Sequence, residues 1–228
     1  MKRRIFLTQS AGVATGIVFS ALVGVRTRSF ASTTQGHRIL DLDWIDANRN
    51  RPVPSRLYLP QQAGPDQAVP LVVFSHGLGG SRRGYSYFGS HLADSGIASL
   101  HPQHVGSDNA LWWGNPLRLT ERLQSAAKET EARSRALDIR FSLDQMLSSE
   151  LAGLIDSSKI AVAGHSYGAN TAMLVSGARV TTTEGEMADL RDQRIRSTIL
   201  ISAPPIQDQG AIEEVFGAVK IPTLHITS

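Results

Sequence analysis

The sequence predicts an α/β fold: a doubly wound, mostly parallel sheet that opens with an antiparallel hairpin. Short runs rich in β-branched residues alternate with longer stretches of helix formers, as in parallel strands joined by helical crossovers. One such run, Lys159 to Ala163, passes through Gly164-His165-Ser166-Tyr167-Gly168 directly into a small-residue helix predicted at Ala169 to Ala178. Because catalytic groups in such sheets lie at the carboxyl ends of strands, this junction is the first candidate for a functional site.

The first 31 residues are predicted to be an export signal that precedes the domain, residues 37–228. A basic start, Lys2 to Leu7, leads into a modestly apolar run and a small-x-small cleavage site at Ser29-Phe30-Ala31. The pair Arg3-Arg4 resembles the twin-arginine type of signal, which exports folded proteins. We therefore expect a periplasmic or secreted protein that meets a membrane only during export. An ordinary export signal and a retained N-terminal anchor are the alternatives.

Net charge and cysteine content exclude several function classes. The whole chain carries a formal charge of +3, but residues 1–31 hold five basic residues and no acid, which leaves −2 for residues 32–228. The basic character therefore belongs to the export signal and does not indicate a nucleic-acid partner. The chain has no cysteine, which excludes disulfides, thiolate metal sites and a cysteine nucleophile. We expect a monomer that acts on a small molecule.

The elements before the junction are a hairpin, a buried strand, a helix and a further strand. Alternating residues predict strands at Arg38 to Ile45 and Ser55 to Leu59, joined by a turn at Asn48 to Pro52. The continuous apolar run Leu71 to Phe74 is typical of a buried parallel strand. The pattern then predicts a helix at Tyr85 to Asp94 and a strand at Ile97 to Leu100.

The rest of the chain continues the alternation after a loop at His101 to Asn115. Residues Leu117 to Leu154 are rich in helix formers, and their charges between Glu121 and Asp144 predict a solvated face. The opposite, apolar face holds Ile139, Leu143, Met146 and Leu147. Beyond the junction, the sequence predicts a charged excursion at Thr181 to Arg194, a strand at Ser197 to Ser202, a helix at Gln209 to Val219 and a last strand at Ile221 to Thr227.

The Gly-x-Ser-x-Gly pattern between a strand and a helix predicts a nucleophile elbow with Ser166 at its apex. A glycine-rich turn that only packs is the structural alternative. Attack by this hydroxyl on an ester forms an oxyanion, which needs fixed hydrogen-bond donors. We predict that the backbone N–H groups of Tyr167 and Leu78 supply them, with Gly79 as the neighbouring option. Leu78 and Gly79 belong to the glycine-rich stretch His76 to Gly80, the predicted oxyanion loop, which follows the strand ending at Phe74.

Several other residues are candidate site residues. Trp112 and Trp113 lie in the long loop, and they either form an apolar wall for the acyl or alcohol group or pack the loop onto the core. Gly79 and His165 are assigned as substrate-binding positions. His76 either orients the oxyanion loop or is a hydrogen-bonded residue at a strand end. The pair His101 and His104 lacks a clustered set of further ligands, so we expect no metal and no cofactor.

These motifs resemble a known family. Phe74-Ser75-His76-Gly77-Leu78-Gly79-Gly80, together with Gly164 to Gly168, is similar to the α/β-hydrolase fold. From Arg38 to Thr227 the chain resembles the secreted dienelactone hydrolases and their platelet-activating-factor acetylhydrolase-like relatives. The resemblance implies hydrolysis of carboxylic esters by a Ser-Asp-His triad, without metal or cofactor. It does not imply a lactone substrate, because dienelactone hydrolases proper use a cysteine nucleophile.

The family pattern places the triad acid and histidine after the serine along the chain. His225 is predicted to lie inside a strand and Asp208 in a solvated loop, so both triad partners are expected beyond residue 228. The chain is then expected to be a C-terminally truncated member that lacks the last strand and helices and is nearly inactive by itself. The alternative is an inactive fragment or a non-catalytic binding protein of the same fold. A peptidase of this fold is a third possibility.

Overall fold

A seven-stranded sheet forms the centre of the domain in the computed structural model, which describes residues 36–182, 185–205 and 211–227. The predicted export signal lies outside the described residues, and so does Asp208. The helices and strands are, in chain order, β1 (His37–Asp46), β2 (Arg51–Pro60), β3 (Val69–Ser75), α1 (Ser86–Asp94), β4 (Ala98–Pro102), α2 (Leu119–Ala126), α3 (Glu129–Ser148), β5 (Ile155–His165), α4 (Tyr167–Ser176), β6 (Arg179–Thr181), β7 (Met187–Asp189), β8 (Ile195–Ile201), α5 (Ile212–Phe216) and β9 (Thr223–Ile226).

The sheet is mostly parallel and has an antiparallel start, which confirms the predicted fold class. Its strand order is β1-β2-β4-β3-β5-β8-β9, while β6 and β7 form a separate antiparallel pair. Strands β1 and β2 pair antiparallel, as do β2 and β4, and the later neighbours in the sheet are parallel. The carboxyl ends of β3, β5 and β8 therefore meet at one edge of the sheet, where ligands bind in such folds.

Helices cover both faces of the sheet, as a doubly wound fold requires. Along β3, Leu71 and Val73 pack into a large cluster with the apolar residues of α3 and α4. Val72 and Phe74 face the other way and pack against a smaller cluster that includes α1. Both faces of β3 are thus buried, which is why this strand reads as a continuous apolar run.

The opening hairpin turns earlier than predicted. The turn occupies residues 47–50, and β2 already begins at Arg51, so Pro52 and Pro54 lie within a strand. Strand β4 pairs only with Ser55 to Tyr58, so the two prolines need no N–H donor on that side of β2. Similarly, β4 extends through Pro102 and takes the first two residues of the predicted loop.

The expectation of a solvated charged face on the 121–144 stretch is wrong for part of α3. Arg135 and Asp138 are completely buried there, beside the predicted apolar residues Ile139, Leu143 and Met146. Charged side chains on a helix are buried only when partners from elsewhere in the fold compensate them, and such partners are not visible in a periodic pattern. Within the described residues, no helix is long and apolar enough to cross a membrane.

Candidate active site

Ser166 occupies a sharp turn between β5 and α4. Strand β5 ends at His165 and α4 begins at Tyr167, so the serine is the only residue between them. Its backbone has φ 52° and ψ −121°, a conformation that side-chain-bearing residues rarely adopt. Such strain costs roughly 1–3 kcal/mol and concentrates at functional sites. The side chain is partly exposed rather than covered by the sheet.

Both glycines of the motif are required by close backbone contacts. A Cβ built on Gly164 would lie 2.0 Å from the carbonyl oxygen of Gly168. A Cβ built on Gly168 would lie 2.0 Å from the carbonyl oxygen of Ser75. Neither position can hold a side chain unless the backbone moves, so the two glycines let the chain turn and let α4 lie against the end of β3.

Strand register brings the glycine-rich loop after β3 to the same place. Ser75 pairs with Gly164, and the Ser166 N–H donates to the Ile201 carbonyl of β8 at 2.9 Å. A Cβ built on Gly77 would lie 3.5 Å from the Ser166 Cβ. The residue that follows Gly77 is Leu78, the predicted oxyanion donor, so the loop and the elbow are direct neighbours.

Two backbone N–H groups at this point have no partner within the described residues. They belong to Leu78 and Tyr167, the two predicted oxyanion donors. The N–H of Gly79, the neighbouring option, donates instead to the Ser107 carbonyl at 2.9 Å, so it is not available as a donor. The serine N–H is engaged as well. An incoming oxyanion would therefore find Leu78 and Tyr167 as its free donors.

His76 fixes the direction of the Leu78 N–H. The His76 ring is buried; its Nε2 accepts from the His104 N–H at 3.1 Å, and its Nδ1–H donates to the Gly77 carbonyl at 2.7 Å. The carbonyl and N–H of one peptide point in opposite directions. Because the Gly77 carbonyl is held by His76, the N–H of Leu78 points away from that ring. Burial, followed by the Arg135 charge, holds the pKa of His76 well below its usual value, so the ring stays neutral.

The predicted substrate-binding residues differ in their contacts and in their exposure around Ser166 and the oxyanion loop. The Trp112 indole donates to the Gly79 carbonyl at 2.9 Å, and its ring fills the space that a Gly79 side chain would need. Trp113 is 75% exposed. The His165 ring is 5.2 Å from that of Tyr85, and a Cβ built on Gly77 would lie 3.5 Å from its Nδ1. His165 and Trp112 thus flank the oxyanion loop, and Trp113 faces solvent.

A cleft of about 530 Å³ adjoins the loop that carries the two tryptophans. Asp108 at its wall forms an isolated bridge with Gly80, the end of the oxyanion loop. Asp108 also accepts from Gln103 and from the Ala110 N–H, so it caps a short helical turn rather than facing the cleft as a free carboxylate. The cleft is lined by Val105, Gly106, Asp108, Ala110, Leu111, Arg118, Glu121, Arg122 and Ser125.

The Ser166 hydroxyl has no hydrogen-bond partner in the part of the chain that the structure describes. His225 lies in β9 as the sequence predicts, paired with Leu200, which in turn pairs with Gly164. Two strand spacings separate His225 from Gly164, which is about 10 Å and beyond hydrogen-bond reach. The other internal candidate, Asp208, lies outside the described residues. No described side chain thus hydrogen-bonds to the Ser166 hydroxyl, and the described residues identify no general base for it.

A buried polar network below the site was missed by sequence reasoning. The Ser75 Oγ lies 3.0 Å from His104 Nε2, and His104 Nδ1 lies 3.0 Å from the Asp138 carboxylate. Arg51 binds the same carboxylate at 2.9 Å. Burial, followed by the charges of Arg135, Arg51 and Arg49, holds the pKa of His104 well below its usual value. The neutral ring therefore donates to Asp138 and accepts from Ser75, and all three groups are closed off from solvent.

Comparison with known proteins shows that this chain is similar to platelet-activating factor acetylhydrolases. Residues 52–113 match the family model described as "Platelet-activating factor acetylhydrolase, isoform II". The chain is 31% identical to the platelet-activating factor acetylhydrolase of Bos taurus over 203 residues, which are 71% of this chain and 40% of that protein. It is also 31% identical to the Cavia porcellus protein of that name, over 65% of this chain and 38% of that protein. The chain thus spans about two fifths of the length of these relatives.

A solved structure supports the fold independently. A ferulic acid esterase from Streptomyces cinnamoneus superposes with a TM-score of 0.59 at 19% identity, over 86% of this chain and 74% of that chain. The resemblance drawn from the two glycine-rich motifs is confirmed, because the family model includes Phe74 to Gly80 and the solved structure shares the fold. The chain has the α/β-hydrolase fold, and by sequence it is similar to the platelet-activating factor acetylhydrolases.

Proposed function

We propose that this protein is a carboxylic ester hydrolase that forms an acyl-enzyme on Ser166. The observation that carries the proposal is an unpartnered serine hydroxyl on a strained turn, next to two unengaged backbone donors, Leu78 and Tyr167. The names of the relatives, acetylhydrolases and an esterase, agree with this chemistry. The reaction requires neither a metal nor a cofactor.

In the proposed reaction, Ser166 Oγ attacks the ester carbonyl carbon while a general base takes the hydroxyl proton. The carbonyl oxygen becomes an oxyanion, which the N–H groups of Leu78 and Tyr167 stabilise. The C–O bond then breaks, and the alcohol leaves with the proton from the base. Water hydrolyses the acyl-serine by the same steps in reverse order. We propose that the base and its acid come from outside the described residues, because none of the described residues reaches the Ser166 hydroxyl.

In a chain that includes the proposed base, we expect Ser166→Ala to abolish labelling by a fluorophosphonate probe, because the probe phosphonylates an activated serine oxygen. Hydrolysis of a nitrophenyl ester should fall by at least about 10³-fold in the same variant, the usual scale for loss of a nucleophile. In-gel fluorescence and release of nitrophenol measure the two effects. Ser202→Ala, at the end of the neighbouring strand, is the matched control and should be labelled like the wild type. Undiminished turnover in Ser166→Ala would refute the assignment.

The second candidate function is a non-catalytic protein that binds an acyl ligand through the same fold. One observation favours it: no described residue hydrogen-bonds to the Ser166 hydroxyl. The probe separates the two functions, since a binding protein would retain the ligand but leave Ser166 unlabelled. Labelling of Ser166 together with ester turnover would exclude it.

We further propose that Trp112, Trp113 and His165 border the substrate, with Gly79 at the floor of the site. Trp113 is the test residue, because its side chain is 75% exposed and no described residue depends on it. We expect Trp113→Ala to raise KM for a hydrophobic ester about tenfold with little change in kcat, since the ring would add apolar contact without touching the reacting atoms. Steady-state kinetics measure this. Equal KM values for Trp113→Ala and the wild type would assign Trp113 to the surface alone.

We propose that residues 1–31 direct export by the twin-arginine route, so that the protein works in the periplasm or outside the cell. The support is the sequence pattern alone, since these residues lie outside the described part. N-terminal sequencing of the exported protein should begin at Ser32. Recovery of full-length protein carrying Met1 from the periplasm would contradict the proposal.

A further inference from the structure

Arg135 is a completely buried cation below the candidate site. It lies on α3, and within the described residues no carboxylate oxygen comes within 4.0 Å of its guanidinium. An arginine buried without a direct counter-charge is costly, so its retention needs a specific reason. Burial lowers the pKa of Arg135 to about 10, and the side chain therefore remains charged at neutral pH.

Every direct contact of this guanidinium is with a neutral group. Its nitrogens donate to the Ser107 Oγ at 2.8 Å, to the Thr171 Oγ1 at 2.9 Å and to the Ser75 Oγ at 3.1 Å. It also donates to the His76 carbonyl. Its central carbon lies 4.7 Å from the centroid of the Tyr167 ring, in a cation–π contact. One side chain thus joins the end of β3, the loop at Ser107 and the first turn of α4.

These contacts lead directly to the two free donors. The His76 carbonyl is held one peptide before the Gly77–Leu78 peptide that carries the first N–H. Tyr167, whose ring stacks on the guanidinium, carries the second N–H. Ser107 accepts from Arg135 through its hydroxyl, and its carbonyl accepts from the N–H of Gly79. Loss of Arg135 would therefore release both sides of the oxyanion hole at once.

We propose that Arg135 is the positioning residue of the oxyanion hole, a proposal that rests on the ester hydrolase function above. It fixes the direction of the Leu78 and Tyr167 N–H groups through His76 and the Tyr167 ring. Its charge, which Glu131 and Asp138 offset only from beyond 4.0 Å, also favours the negative charge that forms on the substrate oxygen. Electrostatic effects of this kind are strong in a closed, low-dielectric interior. The expected contribution is roughly 10- to 100-fold in rate.

The test compares Arg135→Met, which removes the charge at similar length, with Arg135→Lys, which keeps it. We measure the rate constant of Ser166 labelling by a fluorophosphonate and the amide chemical shifts of Leu78 and Tyr167, in a chain that includes the proposed base. Labelling should slow roughly 100-fold in Arg135→Met and by less than about tenfold in Arg135→Lys. The control is Arg51→Met, because Arg51 belongs to the same buried network through Asp138 but contacts neither donor.

Each outcome decides the proposal. Slow labelling with shifted resonances of the two amides in Arg135→Met, partial rescue of both by lysine and near-normal labelling of Arg51→Met support it. Wild-type labelling of a folded Arg135→Met, or equal losses in Arg135→Met and Arg51→Met, overturns it. If both Arg135 variants unfold, Ser107→Ala and Thr171→Val replace them; unchanged resonances of both amides in these variants overturn it. If Ser166 is not labelled in a wild-type chain that includes the proposed base, the proposed function fails, and the amide resonances alone decide the role of Arg135.

Discussion

Gly168→Ala is expected to destabilise the fold by roughly 3–5 kcal/mol or to prevent folding, although it adds a single methyl group. The added Cβ would lie 2.0 Å from the Ser75 carbonyl oxygen and 2.7 Å from the His76 carbonyl oxygen. Backbone atoms surround the position, so no rotation of a side chain can relieve the overlap. The helix would have to move away from the end of β3, which carries the oxyanion loop.

Gly153→Ala is the matched control for this prediction. Gly153 lies in a short helical turn, and a Cβ built on it meets nothing within 4 Å. Its free energy of unfolding should change by less than about 0.5 kcal/mol. Urea denaturation of both variants measures the difference. A Gly168→Ala protein as stable as Gly153→Ala would show that the elbow is not packed as the structure has it.

Acidification is expected to unfold the protein steeply below pH 6.5. His76, His101 and His104 are buried, and burial is the main reason why their pKa values lie below that of a free histidine; the pKa of His101 falls to about 3. In the unfolded chain each ring titrates near pH 6.5. As the pH falls below that value, the unfolded state takes up protons that the folded state does not, so stability decreases. Each histidine contributes a slope of about 1.4 kcal/mol per pH unit, or about 4 kcal/mol for the three together.

Domains of this size have a free energy of unfolding of roughly 5–15 kcal/mol. With a loss of about 4 kcal/mol per pH unit below pH 6.5, the protein should unfold before the pH reaches about 3. The free energy of unfolding from urea titrations at pH 7.5, 6 and 5 measures the slope. His101→Phe keeps a ring between Tyr58 and Phe74 and should reduce the slope by about a third. The control is His91→Asn, on the exposed side of α1. The same stability at pH 5 and pH 7.5 would mean that these rings accept protons in the folded protein.

The two predictions have different physical origins. The glycine overlap follows from a local motif in the sequence, because a turn of this kind admits only glycine at its flanks. The acid sensitivity depends on burial, which a local pattern does not reveal. The sequence offers His101 and His104 only as a pair without further metal ligands. In the structure, His101 hydrogen-bonds to Ser99 at 2.8 Å, and His104 to Ser75 and Asp138.

In the candidate site, too, some features follow from the local sequence and others depend on long-range contacts. Ser166, Leu78 and Tyr167 could be named in advance because short glycine patterns beside predicted strands restrict the local backbone to few conformations. The hydrogen bond from the Gly79 N–H to the Ser107 carbonyl could not be predicted, since 28 residues separate the two and only the fold brings them together. The charges of α3 read as solvated because periodicity locates an apolar face but not the partners that allow Arg135 and Asp138 to be buried beside it.

By itself, the sequence determined the order of strands and helices, the mostly parallel sheet and the strained serine turn. These features follow from local backbone preferences and from the alternation of apolar residues, and both are properties of neighbouring positions along the chain. The tertiary structure alone decided which polar groups are buried together: His76 on the oxyanion loop, Arg135 beneath it and the Ser75–His104–Asp138 network. The physical reason is that burying a charge or an imidazole depends on partners tens of residues away, which become neighbours only when the sheet and helices pack.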